Sequence, residues 1–251
     1  VNAYNQVSSG IDSKVIPMRP IVLGGDDLTV ICRADLAVSY VKCFINEFQI
    51  QTQKELGNIL IANKVFAGNI NYLTACAGIA YVKSSFPFYY GYSLAESLCS
   101  YAKTDAKAAL NEGELPASCI MFHKVQDSFV DTYKEIVDRE LKPQENIILS
   151  FGPYYLDRNK ERWTIDELLV KTGTLDTIEG NAIKSGLRNW LSLLHTNVEL
   201  ADQFMDRLKE VSGAKSFLEV ISDKGVIRNG MTAYPVYDML ALHAVNTQQT
   251  K

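Results

Sequence analysis

Gly24-Gly25-Asp26-Asp27 sets two consecutive carboxylates directly behind two glycines. Crowded acidic side chains favour a positive counterpart, and hard divalent cations such as magnesium or manganese fit because they select oxygen ligands. Two such ions about 4 Å apart serve phosphoryl chemistry by activating a hydroxyl and stabilising a leaving pyrophosphate. The glycines would let the backbone approach a triphosphate with no Cβ in the way. The same four residues also suit a solvated turn, where aspartate is common for local reasons. The flanks weigh toward function. Pro20-Ile21-Val22-Leu23 and Leu28-Thr29-Val30-Ile31-Cys32 are apolar, β-branched runs that predict a buried hairpin closed by the GGDD turn.

The remaining chemistry-bearing residues are scattered. Cys32, Cys43, Cys76, Cys99 and Cys119 form no CxxC pair, and their apolar neighbours predict reduced, buried thiols in a cytoplasmic protein rather than a zinc site. His123, His195 and His243 lie far apart and read as structural or surface residues. Lys103 and Lys107 sit one helical turn apart. Tyr89, Tyr90 and Tyr92 could stack on a base, although a loop packed on the core explains them as well.

Composition narrows the class. The 251 residues are 47% hydrophobic and 22% charged, with a formal charge of −4, which excludes a disordered chain and a uniformly basic nucleic-acid coat. No apolar run approaches the roughly 20 residues that span a bilayer, so a soluble chain with no membrane partner is expected. The sequence opens on Val1 rather than methionine, and the natural chain is expected to begin further upstream.

Two regions must position these residues. Residues 1–155 alternate short strand-like runs with helices, and residues 156–251 read as almost entirely helical. After a helical stretch over Val1 to Asp12, Asp35 is expected to cap a helix whose buried face carries Tyr40, Val41, Phe44, Ile45 and Phe48. Gln51 to Tyr72 has the character of an insertion. Further strands are predicted at Leu73 to Val82, Cys119 to Val125 and Ile147 to Phe151. Ser93-x-x-Glu96 predicts a capping box for a helix with Leu94, Leu98, Tyr101 and Ala102 inward, and Asp131 to Leu141 reads as another helix. Thr164-x-x-Glu167 and Thr196-x-x-Glu199 predict two more boxes. Between them lies a helix marked by Ile183, Leu187, Trp190, Leu191 and Leu194, and a last one covers Val236 to Val245.

This order of elements resembles a known family. Strand, GGDD turn, strand, long helix, an apolar strand with Ala77-Gly78-Ile79-Ala80 and a helix with Tyr101-Ala102-Lys103 look like the palm domain of nucleotide cyclases and polymerases. Diguanylate cyclases carry GGDEF or GGEEF here, whereas Leu28 follows Asp27. The GGDD form, together with Ser118 to Val125 and the helical tail, is more similar to the large palm-domain subunit of type III CRISPR effector complexes. The likeness runs from about Pro20 to Trp190. It implies an α+β chain: a ferredoxin-like palm with an antiparallel sheet and helices on one face, then a helical bundle.

The resemblance also implies chemistry. Asp26 and Asp27 would hold Mg2+ or Mn2+, Gly24 and Gly25 would line the phosphates, and Lys103 matches a phosphate-side lysine of the cyclase relatives. ATP would become cyclic oligoadenylate when target RNA is bound, beside other CRISPR effector subunits and a guide RNA. The chain departs from the pattern in three places: no acidic strand precedes Pro20, and neither a histidine-aspartate nuclease motif nor a cysteine zinc module is present. Two other readings stay open, a catalytically inactive palm-derived scaffold and a diguanylate- or adenylate-type signalling cyclase.

Overall fold

Helix α1 (Asn2–Ser8) lies on α2 (Ala37–Ala62), where Asn2 and Gln6 donate to the Glu47 carboxylate at 2.8 and 3.2 Å. The computed structural model describes residues 1–9, 11, 17–67, 70–108, 110–111, 113–126, 132–157, 162–212, 218–219, 225–228 and 230–247. Asp12 and Asp131, the outer limits of two expected helices, lie outside the described residues.

Between α1 and α2, β1 (Met18–Gly24) pairs antiparallel with β2 (Asp27–Cys32). Gly24 faces Asp27 across the turn, and Gly25 adopts φ +61. A positive φ at the first central position and not at the second is the pattern of a II′ turn, whose twist matches that of the flanking strands. The register shifts between Pro20 and Val22, beside the residue that lacks an N–H for the ladder.

The hairpin is not buried as its apolar runs predict. Leu23 is 82% exposed, with Ile21, Val22 and Ile31 at 41, 38 and 48%. Among the described residues it forms a two-stranded sheet of its own, and only its open end, at Met18 and Cys32, reaches the core.

Helix α2 absorbs most of the supposed insertion. Its 26 residues continue one inner face from Ile45 through Thr52, Gly57 and Leu60. Asp35 does not cap it: it sits in a 3-10 turn (Ala34–Leu36), where its carboxylate accepts both Arg33 N–H groups at 2.8 and 2.9 Å.

Strand β3 (Cys76–Tyr81), helix α3 (Phe88–Lys107) and strand β4 (Cys119–Lys124) follow. β3 and β4 run parallel, a correction to the antiparallel sheet expected, because the helical crossover returns the chain in the same direction. Helix α4 (Tyr133–Ile136) continues into a π-helical turn (Val137–Leu141). Strand β5 (Ile147–Ile148) comes next, and β6 (Tyr154–Tyr155) adds antiparallel to β4.

The later region supplies α5 (Ile165–Gly173), α6 (Ile178–Thr196), α7 (Val198–Ser212) and α8 (Val236–Thr247). It is not only helical. β7 (Val226–Arg228) and β8 (Met231–Ala233) form a hairpin, and β5 joins it parallel to β8. The chain is therefore α+β with small antiparallel and mixed sheets. One hydrophobic cluster runs through both regions, from Ile45, Leu98, Ile120 and Met121 to Trp190 and Met239.

Capping was legible in part. Thr164 and Glu167 make the expected box. Thr196 does not start α7; it ends α6, and Asn197 takes the cap by accepting from the Leu200 N–H at 3.0 Å. Ser93 lies inside α3, which begins at Phe88 behind Pro87. A reciprocal box sits instead at Thr132 and Glu135.

Asp238 is buried in α8, where one carboxylate oxygen accepts from Phe151 N–H, Gly152 N–H and Tyr154 Oη–H at 3.1, 3.2 and 2.7 Å. Desolvation raises its pKa to about 6, against the pull of those donors and of Arg228. The folded state then holds this proton more tightly than the unfolded chain, so its contribution to stability falls as pH rises from about 4 to about 6.5. Asp238→Asn keeps an acceptor and removes the charge. Urea titrations from about pH 4 to 7 should show the variant gaining about 2–3 kcal/mol over the parent across that window; parallel curves would contradict the burial cost.

Candidate functional site

The site is built from the β1–β2 turn and one stripe of α3. Asp26 and Asp27 are exposed at the hairpin tip, and their carboxylates make no hydrogen bond or ion pair to a described residue. Gly25 is required there by its positive φ. Gly24 is not constrained by space, since an added Cβ at either glycine meets nothing within 4 Å.

Helix α3 starts where Pro87 fixes the backbone at φ −61. Leu94, Leu98, Ala102 and Ala106 bury its inner face. Tyr92, Glu96, Cys99, Lys103 and Lys107 recur at spacings of four, three, four and four, which lines them along one side of the helix. The turn is coupled to this stripe through charge. The hydrogen bond to Glu96 raises the Tyr92 pKa and burial raises that of Cys99, and Asp27, within electrostatic range of both, adds to each. Lys103 pulls the Cys99 thiol the other way. Asp27 and Lys103 therefore converge on the same residue, although the first belongs to a turn and the second to a helix 76 positions later.

Glu96 is the residue that the motif-level reading missed. Its carboxylate accepts the Tyr92 Oη–H at 2.6 Å and, like Asp27, helps raise the Cys99 pKa. Its place in Ser93-x-x-Glu96 suggests a cap, whereas its four-residue spacing from Tyr92 and three-residue spacing to Cys99 sets it on the stripe.

The donor set suits a shared metal rather than a protein cage. Among the described residues no group of three or more His, Cys, Asp or Glu side chains is arranged to hold an ion. Magnesium keeps several waters and is commonly held by one or two carboxylates plus substrate phosphates, and Asp26 and Asp27 fit that mode.

The aromatic residues do not pack on the core as a loop would. Phe88 to Tyr92 form the first turns of α3, with Phe88, Tyr89 and Tyr90 49, 70 and 39% exposed. The rings of Tyr89 and Tyr90 meet edge to face at 5.6 Å. Exposed rings of this kind are the type on which a base can stack.

The histidines stand away from this stripe. His123 is buried and stacked on Tyr237, His243 is buried with Nε2 2.8 Å from Asp176, and His195 is exposed at the end of α6. No helix among the described residues is long and apolar enough to cross a membrane. In comparisons with known proteins, no family model and no curated protein matches the chain.

Proposed function

We propose that this chain is a GGDD palm unit that binds ATP with a divalent metal and transfers its nucleotidyl group, as in the cyclic oligoadenylate synthases of type III CRISPR defence. The observation that carries the reading is the pair of exposed carboxylates with no hydrogen-bond partner among the described residues, coupled through charge to a stripe that bears a lysine.

Asp26 and Asp27 would hold magnesium or manganese, which screens the triphosphate and makes a ribose hydroxyl a better nucleophile. Gly24 and Gly25 leave the turn backbone bare toward the phosphates. Lys103 supplies a compact positive charge for the phosphate oxygens. Tyr89 and Tyr90 offer rings to the adenine. The reaction is attack of a 3′-hydroxyl on an α-phosphorus with pyrophosphate leaving, and positioning and charge neutralisation do most of the work. Its setting is cytoplasmic, beside other effector subunits and guide or target RNA.

One observation favours a scaffold reading. Ile21, Leu23 and Ile31 on the hairpin, with Ile50 and Ile59 on α2, leave apolar side chains in the open. An inactive docking subunit would use those faces and leave the turn idle. Incubation with ATP and manganese, with and without RNA, followed by chromatography of the products separates the readings. Oligoadenylate supports the synthase, a cyclic mono- or dinucleotide moves the assignment to a signalling cyclase, and unchanged ATP in every arm supports the scaffold.

A further inference from the structure

Cys76 and Cys119 are register partners on the parallel strands β3 and β4, so their side chains leave the sheet on the same face. Their sulfurs lie 3.6 Å apart. Above them, the Cys99 thiol donates to the Cys76 carbonyl at 3.4 Å, and Cys119 Sγ is 3.4 Å from the Ala102 carbonyl of the same helix.

The two thiols differ in their surroundings. Cys119 is wholly buried, whereas Cys76 is partly exposed. The hydrogen bond with Cys119, helped by the charges of Lys103 and Lys107, holds the Cys76 pKa down to about 7 against desolvation. The same pairing and burial push Cys119 far up. Burial also raises Cys99, and takes Cys32 to about 11. Three thiols this close would suggest a metal, yet they make no ion-binding group among the described residues. An accessible thiolate in a positive setting with a second thiol behind it is instead the arrangement of a redox-responsive pair.

We propose that Cys76 and Cys119 form a peroxide-responsive dithiol that closes to a disulfide between β3 and β4. The Cys76 sulfur attacks one oxygen of a hydroperoxide, the O–O bond breaks, and water or an alcohol leaves as Cys76 becomes a sulfenic acid. The Cys119 sulfur then attacks the Cys76 sulfur, the S–O bond breaks, and hydroxide departs with the Cys119 proton as water. The dithiol gives up two electrons and the peroxide accepts them. Neighbouring strands lie about 4.8 Å apart, inside the roughly 4.4–6.8 Å Cα separation that a disulfide spans. Closure removes the thiolate charge that faces Lys103 and Lys107, and it needs no nucleotide.

The reduced chain is treated with hydrogen peroxide, blocked with iodoacetamide and digested without reductant. Mass spectrometry should find a peptide linking Cys76 to Cys119 that dithiothreitol separates. Near neutral pH, iodoacetamide should label Cys76 about tenfold faster than Cys43. Cys119→Ser should trap Cys76 as a sulfenic acid that dimedone captures, and Cys99→Ser should leave the link intact. Free Cys76 and Cys119 after peroxide, or Cys76 linked to Cys99 instead, would overturn the proposal.

Discussion

Alanine at both Asp26 and Asp27 is expected to lower manganese-dependent ATP turnover by about 100-fold or more, the scale seen when a preorganised electrostatic partner of a reaction is removed. Both side chains are exposed and carry no hydrogen bond to a described residue. Surface changes of that kind move stability by no more than about 0.5 kcal/mol. The thermal midpoint should therefore hold while turnover collapses. Product chromatography and a melting curve on the same preparation make the comparison, and undiminished turnover would remove the turn from the chemistry. Gly24→Ala offers a finer probe. Its Cβ meets no neighbour within 4 Å, so any loss of ATP use would report closeness of the ligand rather than damage to the fold.

Gly78→Ala should have the largest effect on stability. α3 crosses β3 so closely that a Cβ at Gly78 would lie 2.1 Å from the Ala95 carbonyl oxygen, 2.5 Å from the Cys99 nitrogen and 2.9 Å from Leu98 Cβ. Two of those atoms are helix backbone and cannot swing aside as a flexible side chain would, so the helix must lift from the strand. Overpacking typically costs about 1–3 kcal/mol, and a backbone collision belongs at the upper end or beyond, at about 3–5 kcal/mol. For a chain of this size that lowers the thermal midpoint by on the order of 10 °C. A midpoint within about 2 °C of the parent would contradict the packing described for β3 and α3.

Both effects trace to features of unequal visibility in the sequence. The hairpin was legible because glycine and aspartate between β-branched runs leave few alternatives to a tight turn. Its exposure was not, because apolar runs state a need for cover without naming what supplies it. The inner face of α3 was legible from Leu94, Leu98 and Ala102, but its start was not. Ser93 and Glu96 satisfy the spacing of a capping box while Pro87, a residue with no N–H to lose, sets the true beginning. Asp35 misled in the same way: a short acidic side chain caps only when no nearer cation claims it, and Arg33 does.

Long-range pairing was the least legible link. β5 and β8 are two and three residues long, too short for any periodicity to announce them, and 85 positions, with α5, α6 and α7 among them, separate the partners Ile147 and Thr232; local signals cannot encode that return. The parallel course of β3 and β4 follows once α3 is recognised as a crossover, yet it was obscured by an expectation of antiparallel pairing. At the site, Asp26, Asp27 and Lys103 were visible as residue types. Their shared influence on Cys99, and the place of Glu96 beside it, depend on where the fold sets the turn relative to α3.

The acidic turn is proposed to bind a divalent ion together with a nucleotide. Anomalous diffraction from crystals grown with manganese and a non-hydrolysable ATP analogue tests it most directly. A manganese peak bound by the Asp26 and Asp27 carboxylates is expected, with phosphate oxygens completing its shell and Lys103 beside them. Ordered nucleotide bound elsewhere, or no manganese at the turn under saturating analogue, would contradict it.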